Sequence, residues 1–341
     1  MRIEQREIGL EHPPFVIAEA GSNHDGSLEI AKEYVRASAE AGAHAVKFQM
    51  FTQEGLVNPE VPDGKGGWMR HPAWDIVGAL SLPPSWLEPL VEECAKRKIL
   101  FTCTPFDEGA VDALDRVGIP FFKVASGELT HALFLQKVGS KGKPVVMSTG
   151  MGDIPETRKA LGWLKGCPVS LLHCVSNYPP KDEDMGIRAL SALGREFPGI
   201  PLGFSDHTPG SALCAAAVAL GARVFEKHVT FDRTLKGVDH DFAITFPELR
   251  TLVEDVKRVF YSLGNDEKVP MRSEEGMRVN ARRGIYAARN LRAGEVLHPD
   301  MVRIVRPCLE GAASDVLEML GRPLPKDVLI HRPLPPKADW R

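Results

Sequence analysis

From Phe15 to about Tyr261 the chain alternates between two patterns: short apolar runs, and longer stretches with apolar positions every three or four residues. The first four runs are FVIAEAG from Phe15, HAVKFQ from His44, ILFTCTPF from Ile99 and FFKVASGE from Phe121. PVVMSTG from Pro144, VSLLHCVSNYP from Val169, PLGFSDHT from Pro201 and RVFEKHVT from Arg223 complete the series. Between them lie helix-like segments such as SLEIAKEYVRASAEAG, SWLEPLVEECAKRK, EGAVDALDRVG and SALCAAAVALGA. Several end in glycine, the usual helix stop. Eight strand signals alternating with helices over roughly 250 residues predict an α/β fold, a (β/α)8 TIM barrel.

Period-two parity along each run says which side chains point inward. One face of each run starts apolar and turns polar toward its end. Ile17 is followed by Glu19, Ala45 by Lys47 and Gln49, and Leu100 by Thr102 and Thr104. Phe121 precedes Lys123, Val146 precedes Ser148, and Leu171 precedes His173. Gly203 leads to Ser205 and His207, and Val224 to Glu226 and His228. In such barrels the chemistry sits at the C-terminal ends of the strands, which is where the polar residues gather.

Two segments interrupt the repeat. From Thr52 to about Pro84 the chain is rich in Pro, Gly and Trp and too long for an ordinary strand-to-helix turn, so it is expected to form an active-site flap. After Tyr261 the alternation stops. The domain division read from the pattern is a barrel over 1–270, a polar linker over 271–282 and a small β-rich module over 283–341. A module of about 60 residues is near the small end for independent stability and is expected to lean on another surface.

Composition narrows the function classes. Of the 341 residues, 43% are hydrophobic and 26% charged, as in a globule with a sizeable core. A net charge of −3 gives no electrostatic reason to expect nucleic acid or an anionic membrane as partner. The six cysteines are scattered without a C-x-x-C pair, the opening MRIEQREIGL lacks the apolar stretch of a signal peptide, and no run reaches ~18 apolar residues. A cytoplasmic, reducing compartment is the expectation.

His207 and His228 end adjacent strands, so a barrel brings them together. Two converging imidazoles can bind Zn, Mn or Fe, with Asp206, Glu226 and Asp239 as nearby oxygen candidates. The alternative is a core histidine with satisfied hydrogen bonds. Lys47 and Lys123 face inward on apolar strands, where an ammonium needs an anion. Three readings stand open for them: a phosphate or carboxylate substrate, a Schiff-base lysine, or a salt bridge with Glu19 or Glu128. Glu19 and Glu128 can act as general base, metal ligand or hydroxyl binder. Ser126, Ser148, Thr149, Ser176 and Tyr178 add neutral donors suited to phosphate oxygens.

These strings, in this order, resemble the sialic acid (N-acetylneuraminate) synthase family. FVIAEAGSNHDGSLEIAKEYVRASAEAGAHAVKFQ is similar to its opening; FTCTPFD, FFKVASGE, VVMSTGM, LLHCVSNYP, GFSDHT and EKHVTFDRTLKGVDHDFAI are similar to its later motifs. The tail RRGIYAARNLRAGEVLHPDMVRIVRP resembles that family's antifreeze-like SAF domain, a β-clip fold. The resemblance implies a divalent metal at His207 and His228, typically Mn2+, with Mg2+ or Co2+ as alternatives. It implies phosphoenolpyruvate held by Lys47 and Lys123 with Ser126, Ser148, Ser176, Tyr178 and Ser205. Glu19 and Glu128 would join the lysines in catalysis, and Glu128, Asp239 and Arg306 would bind the sugar.

In that family Arg306 would reach the active site of the other subunit of a domain-swapped homodimer. The implied reaction joins phosphoenolpyruvate to an N-acyl amino sugar, N-acetylmannosamine by default. A diacetamido-dideoxy hexose leading to legionaminic or pseudaminic acid is the alternative. A related synthase acting on a phosphorylated sugar would need a further basic cluster, and a non-catalytic sugar-binding barrel would be expected to have lost Glu19, the lysines or a histidine. SNHDG stands where many members read INHNG or INHEG, and Asn280 where some carry phenylalanine. Both departures bear on the choice of sugar.

Overall fold

The computed structural model describes residues 1–340. Each predicted run becomes a strand: β1 Phe15–Gly21, β2 Ala45–Met50, β3 Leu100–Pro105, β4 Phe122–Val124, β5 Val145–Ser148, β6 Val169–Cys174, β7 Leu202–Asp206 and β8 Ala222–Thr230. All pair in parallel in the order β3-β2-β1-β8-β7-β6-β5-β4, and β3 and β4 lie side by side across the seam, so the sheet closes almost completely into a TIM barrel. Every residue of β1 and of β8 is buried. That two-sided burial is why the runs read as near-continuous apolar stretches.

Helices cover the outside: α1 Leu28–Glu40, α2 Leu87–Arg97, α3 Glu108–Arg116, α4 Ala132–Gly139, α5 Ile154–Trp163, α6 Ala189–Glu196, α7 Ala212–Ala219 and α8 Phe246–Ser262. Their starts carry side-chain caps where the sequence provides them. Asp107 accepts from Ala110 N at 2.8 Å, and Asp153 and Glu156 form a reciprocal capping box.

The barrel interior is layered. Phe15, Ile17, Ala45, Phe121, Val146, Leu172 and Val224 form a buried apolar floor. β7 contributes only Gly203 to this layer, because a Cβ there would come within 2.4 Å of the Val224 carbonyl oxygen. An N-terminal hairpin, Arg2–Ile3 against Arg6–Glu7, carries Ile3 and Ile8 into the same cluster and stoppers the lower end.

One register differs from the parity reading. On β6 the inward residues are Leu172 and Cys174, not Leu171 and His173. Leu171 belongs to the outer core, while His173 Nε2 meets the Met185 carbonyl at 2.7 Å and its ring stacks on Phe204. With two leucines in succession, apolar parity fits both faces, and pairing with β5 and β7 decides between them.

The segment after β2 is ordered into a short helix Gln53–Leu56, an antiparallel hairpin of Glu60–Pro62 with Trp68–Arg70, and a helix Trp74–Leu80. Its ends are tied at the barrel rim, where Ser81 Oγ donates to Phe51 O at 2.5 Å and Leu82 N to Gln49 O at 3.0 Å.

The chain divides into two compact units after Gly264. In the second, β9 Gly284–Ala287 pairs antiparallel with β10 Val302–Val305, over a core that includes Ile285, Leu291, Leu297, Met319, Leu324 and Trp340. The stretch read as a polar linker holds a short helix, Glu275–Asn280. Among the described residues no helix is long and apolar enough to cross a membrane.

Ile3 is 0% exposed, so Ile3→Ala should destabilise the protein by about 2–4 kcal/mol. Urea unfolding measures this directly, and an unchanged midpoint would mean that the hairpin does not close the barrel.

Candidate active site

Above the apolar floor the strand ends enclose a cavity of about 560 Å3. Two lysines stand at its base. Lys47 Nζ lies 2.8 Å from Glu19 Oε1 and donates to Thr104 Oγ1 at 2.8 Å, while Gln49 Nε2 donates to the same Glu19 oxygen at 2.7 Å. Lys123 Nζ donates to Ser148 Oγ at 2.8 Å and to Val124 O at 3.1 Å. Glu226 stands between the two ammoniums, with Oε1 3.5 Å from Lys123 and Oε2 3.9 Å from Lys47. It also accepts from Ser205 Oγ at 3.0 Å. All four charged groups are at most 5% exposed.

The opposite wall carries the histidines, whose rings are 5.3 Å apart between centroids. His207 Nδ1 meets the Val175 carbonyl at 3.0 Å. A carbonyl accepts only, so Nδ1 carries the proton and Nε2 keeps its lone pair. His228 Nδ1 is buried without a hydrogen-bond partner and lies 3.6 Å from Asp239 Oδ2, beyond hydrogen-bond range. Tyr178 packs on His207 at 4.2 Å and Phe242 on His228 at 5.0 Å. Between β5 and β6, Gly150 N donates to Ser126 Oγ at 3.0 Å, and a Cβ at Gly150 would fall 2.5 Å from Ser176 Oγ. Only glycine leaves these hydroxyls facing open space.

Residues 34–268 match the model of the NeuB family, and residues 282–338 match the SAF domain. The chain belongs to the NeuB family. It is 38% identical over 320 residues to N,N'-diacetyllegionaminic acid synthase of Legionella pneumophila, covering 90% of this chain and 89% of that one. With human N-acetylneuraminate-9-phosphate synthase it shares 34% identity over 331 residues, covering 93% and 90%. The crystal structure of N-acetylneuraminic acid (sialic acid) synthetase from Leptospira borgpetersenii serovar Hardjo-bovis, in complex with citrate, superposes with a TM-score of 0.74. The identity there is 32%, covering 81% of this chain and 94% of that one.

In this NeuB-family barrel most of the residues singled out from sequence share the one cavity. Glu19, Lys47, Lys123, Ser126, Ser148, Ser176, Tyr178, Ser205, His207, His228 and Asp239 all line it. Four do not. Glu128 pairs with His131 Nδ1 at 2.8 Å, because β4 ends at Val124 and a 3-10 turn over Ser126–Glu128 breaks the alternation that would have aimed it inward. Thr149 Oγ1 donates to Leu172 O at 3.0 Å. Asp206 points to the helix side of β7, where it pairs with Lys227, and is unavailable as a cavity oxygen. Arg306 is exposed in the second unit. Cys174 is a lining residue that the shifted β6 register conceals, and Glu226, read as a metal oxygen candidate, pairs with the lysines instead.

Burial sets the protonation states. It pushes both histidines below their ordinary range, His228 the further, so both are neutral near pH 7 and offer lone pairs. Burial also pulls on Lys47, but Glu19 and Glu226 outweigh it and hold the ammonium above its usual value; Lys123 is drawn below its own. Burial raises Asp239 to about 6. For Glu226 the burial penalty is overcome by Lys123 and Lys47, which keep it ionised.

The donor set fits a divalent cation. One imidazole has its free nitrogen fixed by a backbone carbonyl, the other has an orphaned buried nitrogen, and neither is charged. Among the described residues no cluster of three or more His, Cys, Asp or Glu forms a cage. A cation there would take its remaining ligands from water or substrate oxygens, the open arrangement of catalytic rather than structural sites.

Burial raises Glu19 from 4.5 to about 7, against the pull of Lys47. The folded state therefore holds this proton more tightly than the unfolded chain, and the resulting stability is full below pH 4.5 and lost as pH rises to about 7. Glu19→Gln removes that titration. The unfolding free energy of wild type minus variant, measured in urea, should fall with pH across this window; a flat difference would place the Glu19 pKa in the ordinary carboxylate range.

Proposed function

We propose that this chain is a metal-dependent, C–C bond-forming transferase that condenses phosphoenolpyruvate with an N-acyl amino sugar, yielding a nonulosonic (sialic-type) acid and phosphate. One arrangement carries the reading. Two buried ammoniums, a bank of serine hydroxyls and two neutral imidazoles face a single cavity in a NeuB-family barrel. The activities for which the Legionella and human relatives are named support it.

Lys47 and Lys123 bind the phosphate and carboxylate of phosphoenolpyruvate, and Ser126, Ser148, Ser176, Ser205 and Tyr178 supply neutral donors around them. The C2=C3 electron pair of phosphoenolpyruvate forms a bond from C3 to the aldehyde carbon of the open-chain sugar. The aldehyde C=O pair moves to its oxygen, which takes up a proton to become a hydroxyl, and C2 is left electron-poor. Water adds at C2 and gives up one proton. The C2–O bond to phosphate breaks with phosphate taking the electron pair, and the C2 hydroxyl loses its remaining proton to the departing phosphate and becomes the keto oxygen. Glu19, with a pKa near neutrality, is placed to take the proton of that water. A divalent cation held by His207 and His228, Mn2+ in the first instance, would polarise the aldehyde oxygen. C–O cleavage needs no imine, so the lysines act through charge alone.

The basic lining residues, Lys47, Lys123, His207 and His228, are all committed to these roles, which supports an unphosphorylated acceptor. N-acetylmannosamine is the first choice. Identity of 38% to the Legionella enzyme favours a diacetamido-dideoxy hexose as the second.

Metal-stripped protein should release no phosphate from phosphoenolpyruvate with either sugar, and Mn2+ should restore release. His207→Ala and His228→Ala should each lower turnover about a hundredfold or more with an unchanged circular dichroism spectrum. Near-normal rates without metal would remove the cation from the mechanism.

Arg306 is proposed to close the cavity of a partner subunit in a domain-swapped homodimer. Arg306→Ala should then raise KM for the sugar about ten- to a hundredfold and leave that for phosphoenolpyruvate nearly unchanged. Mixing Arg306→Ala with Glu19→Ala protomers should partly restore activity, since one site of the mixed dimer is intact. No recovery from dimers that have exchanged subunits would confine the arginine to its own barrel.

A further inference from the structure

On the other face of β7 and β8, behind the two histidines, a second charged pair is buried between sheet and helices. Asp206 and Lys227 stand opposite each other in the β7–β8 register, each one residue before its histidine. Asp206 is 0% and Lys227 1% exposed. Lys227 Nζ donates to Asp206 Oδ2 at 2.6 Å and to the carbonyl of Thr208. Cys214 Sγ, on α7, donates to the same carboxylate oxygen at 3.4 Å. Asp206 Oδ1 accepts from Thr208 N at 2.9 Å and from Thr208 Oγ1 at 2.8 Å.

A pair of this kind is a poor source of stability. Desolvating two charges cancels much of their attraction, and apolar residues of the same volume often serve as well. Its reach suggests another role. From β8, Lys227 grips both Asp206 and Thr208, the two residues that bracket His207 on β7. Its own chain neighbour is His228. The relative placement of the two imidazoles is thus fixed from behind by one ammonium.

We propose that the Asp206–Lys227 pair is a positioning device that sets the separation of His207 and His228, and through it the affinity of the cavity for a divalent cation. The inference rests on the reading of these histidines as cation ligands. The sequence reading offers Asp206 as an oxygen candidate beside the histidines, although strand parity turns it to the outer face, and leaves Lys227 without a role.

The test uses the double variant Asp206→Asn/Lys227→Met, which buries no uncompensated charge, keeps side-chain volume and retains an acceptor for Thr208. Mn2+ is titrated calorimetrically into metal-stripped full-length wild type, the double variant and His207→Ala, and each stripped protein is unfolded in urea. The double variant should match or exceed wild-type stability and bind Mn2+ about ten- to a hundredfold more weakly, the usual effect of losing the groups that orient a ligand. Lost stability with Mn2+ affinity within about twofold of wild type would make the pair merely structural and overturn the proposal. Wild type binding no better than His207→Ala would instead defeat the histidine reading, and the positioning role with it. Should the double variant not fold, Thr208→Ala, which removes one hydroxyl held by Asp206, is read in the same way. A severalfold weaker Mn2+ affinity supports the device and an unchanged one overturns it.

Discussion

Two ammonium groups cannot be carried into the middle of a barrel without countercharge, and the upper half of this one is organised around that constraint. Lys47 is met by Glu19 at 2.8 Å, and Glu226 stands between Lys47 and Lys123 at 3.9 and 3.5 Å. The compensation is close to complete in number and incomplete in hydrogen bonding. Glu19 Oε2 and Glu226 Oε2 are buried without a hydrogen-bond partner. A buried polar atom left in that state is costly, so the arrangement makes sense when a ligand takes part in it.

The same economy explains the layering below. The floor from Phe15 to Val224 is apolar and filled, with Gly203 yielding space where Val224 intrudes and the N-terminal hairpin supplying Ile3 and Ile8 underneath. A dry floor keeps the charged layer in low dielectric, where each ionic contact is stronger than in water and each missing one dearer. It also keeps both imidazoles neutral, which is the state a cation requires.

Much of this was legible in the sequence, because strands closing a barrel must alternate and helices must cover them. The eight runs, and the inward aim of Glu19, Lys47, Lys123, Ser148, Ser205, Glu226 and His228, follow from period two alone. Parity failed where its assumptions fail. On β6 two successive leucines fit either face, so the inward choice fell on His173 rather than Cys174. At Glu128 a 3-10 turn ends the alternation, and the carboxylate swings to His131. The polar residues of the outer face were hidden for a different reason. Asp206 reads as an oxygen candidate for the histidines and Lys227 is given no role, because a buried charge announces itself only through its partner, and partners on neighbouring strands are distant in sequence.

The two charged assemblies on β7 and β8 therefore invite comparison. Inside, Glu226 shares two lysines at long range and keeps one oxygen unpartnered, as do Ser176 Oγ and His228 Nδ1 close by. Outside, the Asp206 carboxylate has both oxygens taken and its lysine is held at two points. Orphaned polar atoms are not confined to the cavity, since Tyr34 OH and Ser38 Oγ on α1 lack partners too. In the cavity, those of Glu19, Ser176, Glu226 and His228 come from several strand ends to one volume. A satisfied network resists rearrangement and suits a scaffold, whereas an unsatisfied one is primed to reorganise around what enters. One pair of strands carries both kinds, back to back, so the rigid face can hold the histidines while the other face adjusts to substrate.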